Sequence, residues 1–217
     1  MVQHTYINGK RYHQTALGAL PGVTTVLSAT KDERSQRAIA AWKKRVGEEE
    51  AERIMNAACE RGTKLHNTIE SYLKSPVTPL NLDSGTNSLF SLVKPLLDDL
   101  DEVKYIEIDS YHPLGYGGSA DLIAVYKGHL TVFDWKTSTK PKKRSYIGDY
   151  ILQIAAYIAS CNYKLGTDIN RGVVAVVTPG ADEYQLFKIT PKQYEKAWGE
   201  FKERLLLFQS LYPNDDF

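Results

Sequence analysis

Hydrophobic and polar positions change period several times along this chain, and each change marks an element. Val173 to Val177 is an unbroken apolar run, mostly β-branched, of the kind that fills a strand covered on both faces. Val103–Tyr111, Ser119–Tyr126, Leu130–Thr137 and Tyr184–Ile189 read as further strands, and His4 to Tyr12 as a hairpin around Asn8-Gly9. Apolar residues at helical spacing predict a helix from Asp32 or Ser35 to about Val46, with Ile39 and Trp42 on one face. A second runs from about Glu48 to Leu73 through Ile54, Ala58, Leu65 and Ile69; others cover Asn87–Asp98 and Ser145–Tyr163. A last helix starts at Pro191 behind a Thr190 cap and reaches about Leu211. Val23 to Leu27 is a short apolar stretch, and Ser75 to Thr86, with Pro76 and Pro79, a loop. Gly62 interrupts the second helix at a cost of about 1 kcal/mol relative to alanine. A close approach of backbone or phosphate would account for it, and so would a break between two helices. The order predicts an α/β fold: a central mixed sheet flanked by helices, in one domain over residues 1–217. The N-terminal hairpin and helical portion, about 1–100, form a cleft wall against the sheet and helices of about 101–217.

Composition narrows the picture. A chain of 217 residues can bury a real core. No apolar run approaches the length of a membrane span. Met1 to Tyr6 lacks a basic start and an apolar core, so no secretory signal is expected, nor is an Arg-rich transit segment present. A cytoplasmic location follows (the host cytoplasm for a viral protein), or a mitochondrial one if a transit segment was removed. Cys59 and Cys161 are too few for a disulfide framework or for a four-cysteine iron–sulfur cluster. The five histidines show no zinc spacing. Gly115-Tyr116-Gly117-Gly118 lacks the Lys-Ser/Thr ending of a nucleotide-binding loop, so no ATP site is expected; it reads as a tight connection. A net charge of +1 argues against a protein coated in nucleic acid but allows a focused groove. Lys140, Lys142, Lys143 and Arg144 form one basic cluster and read as a phosphate-contacting loop. The cluster from Lys31 to Arg45 reads as solvated surface.

Chemistry concentrates in two strands. Asp121 and Asp134 are carboxylates in apolar strands, and Lys127-Gly128 between them is a turn candidate. A hairpin closing there places the two acids opposite each other, where like charges destabilise unless a cation joins them. Lys136 shares the face of Asp134 by strand alternation. Two acids and a lysine converging on one spot suit metal-dependent phosphodiester cleavage. Glu107 and Asp109 share a face of the preceding strand, opposite Ile106 and Ile108. His66 and Glu70 are four apart on one helix, as are Gln153 and Tyr157.

Asp121 followed by Asp134-x-Lys136 resembles the PD-(D/E)XK nuclease superfamily. Arg61-Gly62-Thr63-Lys64-Leu65-His66 and Gln153-Ile154-Ala155-Ala156-Tyr157 resemble the helical motifs of its RecB-like exonucleases. Order and spacing look most like phage exonucleases and the mitochondrial genome-maintenance exonucleases, over roughly Pro21 to Ala159. The resemblance implies a restriction-endonuclease-like core and a Mg2+- or Mn2+-dependent deoxyribonuclease. DNA, single-stranded or with free ends, is the implied partner, in replication, recombination or repair. Asp121, Asp134, His66 and the Trp135 carbonyl are the implied metal ligands. Lys136 approaches the attacking water or the scissile phosphate. Glu107 binds metal or orients water, and Gln153 and Tyr157 orient the lysine or the strand. Arg61, Thr63, Lys64 and Ser138 join the basic loop as DNA contacts. Trp42, Tyr72 and Tyr116 are candidates to stack on bases. A structure-selective endonuclease on the same core, a catalytically silent nucleic-acid-binding module and a structural α/β domain are the competing readings. Circular against end-labelled linear DNA separates the first. The complete acid–acid–lysine set argues against the second, and absence of cation binding would mark the third.

Overall fold

A computed structural model describes residues 4–78 and 80–213; Met1 to Gln3 of the expected signal-free start, and Pro79 of the expected loop, lie outside the described residues. Asn8 and Gly9 both take left-handed backbone (φ 51° and 73°) between the partners Ile7 and Lys10, forming a primed two-residue turn. The turn joins β1 (His4–Ile7) to β2 (Lys10–Thr15). A third strand, β3 (Gly18–Pro21), pairs antiparallel with β2 and completes a small sheet. Its four residues carry no alternation from which to read it. The apolar stretch after it is a helix, α1 (Val23–Ala29), because Val23, Val26 and Leu27 at i, i+3, i+4 share a buried face.

The next helices follow the predicted pattern. α2 (Glu33–Val46) starts at Asp32, whose carboxylate accepts from the Ser35 N–H at 2.7 Å. α3 (Glu48–Lys74) runs unbroken through Gly62. α4 (Ser84–Asp98) begins earlier than the pattern suggests, because Asp83 caps it.

Five strands make the main sheet: β4 (Glu102–His112), β5 (Tyr116–Tyr126), β6 (His129–Thr137), β7 (Gly172–Val177) and β8 (Gln185–Ile189), in that spatial order. All neighbours are antiparallel except β6 and β7. A parallel pair needs a crossover, and α5 (Gly148–Leu165) supplies it. α6 (Pro191–Leu211) closes the chain behind a reciprocal Thr190–Gln193 capping box. The fold is thus mixed α/β with helices on both sheet faces. One face packs Ile123, Val132 and Val174 against α1, α5 and α6. The other packs Leu122, Phe133 and Trp135 against Leu65, Ile69 and Val93 of α3 and α4. Each such side chain stabilises by about 1.5–3 kcal/mol when fully buried, which offsets the burial of two carboxylates between the layers.

Besides a register shift between Val103 and Tyr105, the β4–β5 ladder breaks the rule of alternation at a step beside the two acids. Ile106 pairs with Leu122 and both pack toward α3 and α4; Ile108 pairs with Ala120 and both pack toward α5. Ile106 and Ile108 were expected on one face. They separate because Glu107, between them, has φ 49°, rare for a residue other than glycine. The register sets Glu107 across from Asp121, so both strands skip alternation at the same step, beside the candidate chemistry.

Candidate active site

The β5–β6 hairpin closes as a two-residue primed turn: Lys127 (φ 51°) and Gly128 (φ 76°) lie between the partners Tyr126 and His129. Pairing from there ends at Leu122 and Phe133, one step short of Asp121 and Asp134. Beyond it, side chains hold the backbone. The Trp135 N–H donates to Asp121 Oδ2 at 2.8 Å, and His66 Nε2 donates to the Trp135 carbonyl at 2.8 Å. A carbonyl only accepts, so Nε2 carries a proton; Nδ1 faces Asp121 Oδ1 at 3.5 Å. Burial alone would lower the His66 pKa, but the Asp121 carboxylate outweighs it and raises it to about 9. Burial likewise works to raise the Asp121 pKa, yet His66, then Lys136 and the Trp135 N–H, hold it below the ordinary value.

Asp134 and Lys136 reach the other side of the sheet, toward α5. Lys136 Nζ lies 2.6 Å from Asp134 Oδ2 and 5.4 Å over the Tyr150 ring. The Asp134 side chain is 1% exposed, and neither oxygen receives a well-aligned hydrogen bond. Burial lifts its pKa to about 6, with Lys136 opposing and Asp121 adding to the rise. Gln153 Nε2 donates to the Tyr157 hydroxyl at 2.9 Å on α5. Gly118 lets that helix approach, since a Cβ there would sit 2.6 Å from a Tyr157 ring carbon.

These groups line one cleft of about 970 Å³, with walls from β2, α1, α3, β4, β5, β6 and α5. Within it the ligand atoms of His66, Glu107 and Asp121 all fall within 4.8 Å of one another. Burial first, then Asp121, pushes Glu107 up to about 7, while His66 opposes. Carboxylate oxygens, one imidazole and a buried carboxylate next door fit a divalent cation that accepts hard oxygen donors. The grouping differs from the expected set of His66, Asp121, Asp134 and Trp135. Glu107 joins His66 and Asp121, while Asp134 pairs with Lys136 and the Trp135 carbonyl already takes His66.

The RGT segment divides across its helix. Gly62, Thr63, His66, Asn67, Glu70 and Lys74 recur at helical spacing and face the cleft. Arg61 and Lys64 point away, into a smaller cavity of about 270 Å³ beside the start of α4. Arg61 Nε is buried without a partner there, and Lys64 pairs with Glu60 at 3.0 Å and Asp83 at 3.4 Å. The expected joint phosphate contact of Arg61, Thr63 and Lys64 is therefore split. Ser138 is buried, and its hydroxyl donates to the Lys140 carbonyl at 2.6 Å, shaping the loop instead of facing the cleft. Lys140, Lys143 and Arg144 are exposed just beyond Thr137, outside the cleft lining; Gln185 of β8 clasps the Lys142 backbone at 2.6 and 3.0 Å.

Of the stacking candidates, Tyr116 is fully buried, with its hydroxyl on the Ala156 carbonyl, and Tyr72 is tied to Asp98 and Phe90. Both serve packing. Trp42 is half-buried on α2. The cleft also contains Arg11, His13, Thr24, Cys59, Asn67, Lys74 and Ser119, none of which the sequence assigned to the site. Extending the His66 stripe along α3 would have found Cys59, Asn67 and Lys74. Nothing local in the N-terminal hairpin marks Arg11 or His13.

No model of a known protein family matches the chain. It is similar to mitochondrial genome maintenance exonuclease 1 of Xenopus tropicalis, with 33% identity over 178 residues, 74% of this chain and 49% of the relative. The Homo sapiens protein of that name is 31% identical over 152 residues, covering 66% of this chain and 44% of its own length. That of Mus musculus is 31% identical over 201 residues, covering 86% and 58%. The chain thus spans about half the length of the curated relatives it matches. Among solved structures, a candidate exonuclease from Eubacterium rectale superimposes with a TM-score of 0.48 and 12% identity, over 69% of this chain and 66% of that one.

Proposed function

We propose that this chain, similar to the mitochondrial genome maintenance exonucleases, is a PD-(D/E)XK-like, divalent-metal-dependent exonuclease acting on DNA strands with free ends. The observation that carries the reading is the buried Asp134–Lys136 ion pair beside the His66–Glu107–Asp121 group, in one cleft. Burying a carboxylate and an ammonium together costs desolvation, and a cation for the first with a reacting phosphate for the second gives the pair a purpose. Asp121, Glu107 and His66 would hold the metal, with Asp134 beside them. A bound Mg2+ or Mn2+ polarises the phosphate and makes water a better nucleophile at neutral pH. Lys136 offsets the negative charge that grows on the phosphate oxygens, and Asp134 holds its ammonium at the cleft floor. The Tyr150 ring lies 5.4 Å from that ammonium, and the Gln153–Tyr157 pair lines the same cleft. Thr63 and Asn67 face the strand from α3. A place in genome maintenance, mitochondrial in the named relatives, follows from the same reading. The test is one assay on circular and end-labelled linear DNA, single- and double-stranded, with Mg2+, with Mn2+ and with chelator. Linear DNA shortened from its ends only with a divalent ion is expected. Cleavage of circular DNA would make the chain an endonuclease, and no cleavage of any DNA with either ion would overturn the reading.

A further inference from the structure

Across the cleft from α3 stands Arg11 of β2, a residue without a role in the chemistry proposed. Its position is fixed by its own backbone. The Arg11 carbonyl accepts from the Gly22 N–H at 3.3 Å and from the Thr25 hydroxyl at 2.9 Å. Its guanidinium donates to the Thr24 hydroxyl at 3.3 Å, and Thr24 also lines the cleft. His13, two residues on and buried, fills the space that side chains at Gly22 and Gly117 would need: an added Cβ would lie 3.0 Å from its Nε2 and 3.2 Å from its Cβ respectively. Gly22 bridges Gly117 directly. The small sheet is thereby keyed to the start of β5, the strand that carries Asp121.

The other cations of the cleft are committed. Lys136 pairs with Asp134, and Lys74 with Glu70 at 2.5 Å. Arg11 has no carboxylate partner among the described residues. Its charge is felt at the floor: burial raises the pKa of the Tyr157 hydroxyl, and Arg11 works against that rise. A guanidinium that lines a cleft and is bonded there only to a hydroxyl is a ready site for a planar oxyanion.

We propose that Arg11 binds a phosphate of the DNA strand, gripping two of its oxygens on the wall opposite α3 and so setting the strand's register against Asp121 and Lys136. This rests on the exonuclease reading. The phosphate is either an internal diester or a terminal monoester, and the chemistry of recognition is the same for both.

The test uses the full chain carrying Asp134→Asn to prevent cleavage, alone and with Arg11→Met or Arg11→Lys. Affinity for a single-stranded oligonucleotide is measured by fluorescence anisotropy across a salt series. Oligonucleotides with phosphate and with hydroxyl ends are compared, and thermal melts control for folding. Arg11→Met is expected to weaken binding about tenfold and to flatten the log–log salt slope by about 0.7–1. Arg11→Lys restores the slope but only part of the affinity, because an ammonium cannot grip two oxygens in one plane. A loss confined to phosphorylated ends assigns Arg11 to the terminal monoester; an equal loss on all ends assigns it to an internal diester. Unchanged affinity and slope in a folded Arg11→Met protein overturns the proposal. Where Arg11→Met does not fold, an Arg11→Lys protein with wild-type affinity overturns it. The wild-type chain, run beside these with Mg2+, separates the two readings. If it cuts linear DNA while Arg11→Met binds like its parent, only the Arg11 assignment falls. If it neither binds nor cuts DNA, the exonuclease reading falls with it.

Discussion

At the scale of single residues, Asp134 and Lys136 form a buried ion pair at 2.6 Å, and removing either partner strands the other. Asp134→Asn and Lys136→Ala are each expected to abolish cleavage and to lower the melting temperature. The lysine variant falls further, because it leaves a carboxylate that is 1% exposed, whereas the Lys136 side chain keeps 20% of its surface in water; breaking such a pair costs up to about 3–5 kcal/mol. Calorimetry of both variants checks the order. An Asp134→Asn protein that still cuts DNA would remove the chemical argument, and a Lys136→Ala protein that melts at or above it would remove the ion-pair one. His66→Ala is expected to lower activity and change the metal requirement, with partial recovery in Mn2+, which accepts imidazole more readily than Mg2+. A rate and metal requirement equal to wild type would return His66 to holding the Trp135 carbonyl. Asp121, Asp134 and Lys136 were legible because charged side chains interrupt apolar strands. The partnership of Glu107 with His66 and Asp121 was not, since it depends on one left-handed residue that alternation cannot foresee.

At the scale of elements, β4 has a register shift between Val103 and Tyr105 and a second irregularity at Glu107. Holding a side chain other than glycine at φ 49° costs about 1–3 kcal/mol, and more for a β-branched one. Glu107→Asn and Glu107→Val both delete the acid, yet only valine resists the backbone conformation. Denaturant melts are expected to place the valine variant below the asparagine variant by about 1 kcal/mol or more. Equal stabilities would mean that β4 relaxes and the strain is not structural. The long helices and main strands were legible from their periods to within a few residues. α3 was legible as a helix, but its division of labour was not. Thr63 and His66 face the cleft while Arg61 and Lys64 face α4, a consequence of helical phase that a linear motif hides. β3 and α1 were missed as types because four and seven residues carry too little pattern.

At the scale of the molecule, the cleft joins walls from both halves of the sequence, which is why Arg11 and His13 escaped a reading that moved along the chain. The basic loop from Lys140 to Arg144 lies past the cleft edge. Neutralising Lys142 and Lys143 is expected to weaken binding of long single strands and flatten their salt dependence by about one unit per lost contact. Oligonucleotides that end within the cleft should bind as before; an unchanged slope on long strands would make the loop plain solvated surface. The Lys127-Gly128 turn, exposed and distant in character from any chemistry, works as a ruler. Five residue pairs are counted out from it before Asp121 meets the Trp135 N–H. Surface turns ordinarily tolerate an extra residue, whereas one added here shifts one strand by a step and turns Asp134 and Lys136 to the face of Phe133 and Trp135. A single alanine inserted between Lys127 and Gly128 is expected to destroy activity, while the same insertion between exposed Asp182 and Glu183 leaves the melting temperature near wild type. An active insertion mutant would show that the hairpin re-registers through a bulge. The lengths that drift between related chains should then be those of other loops, with this one held to two residues by arithmetic alone.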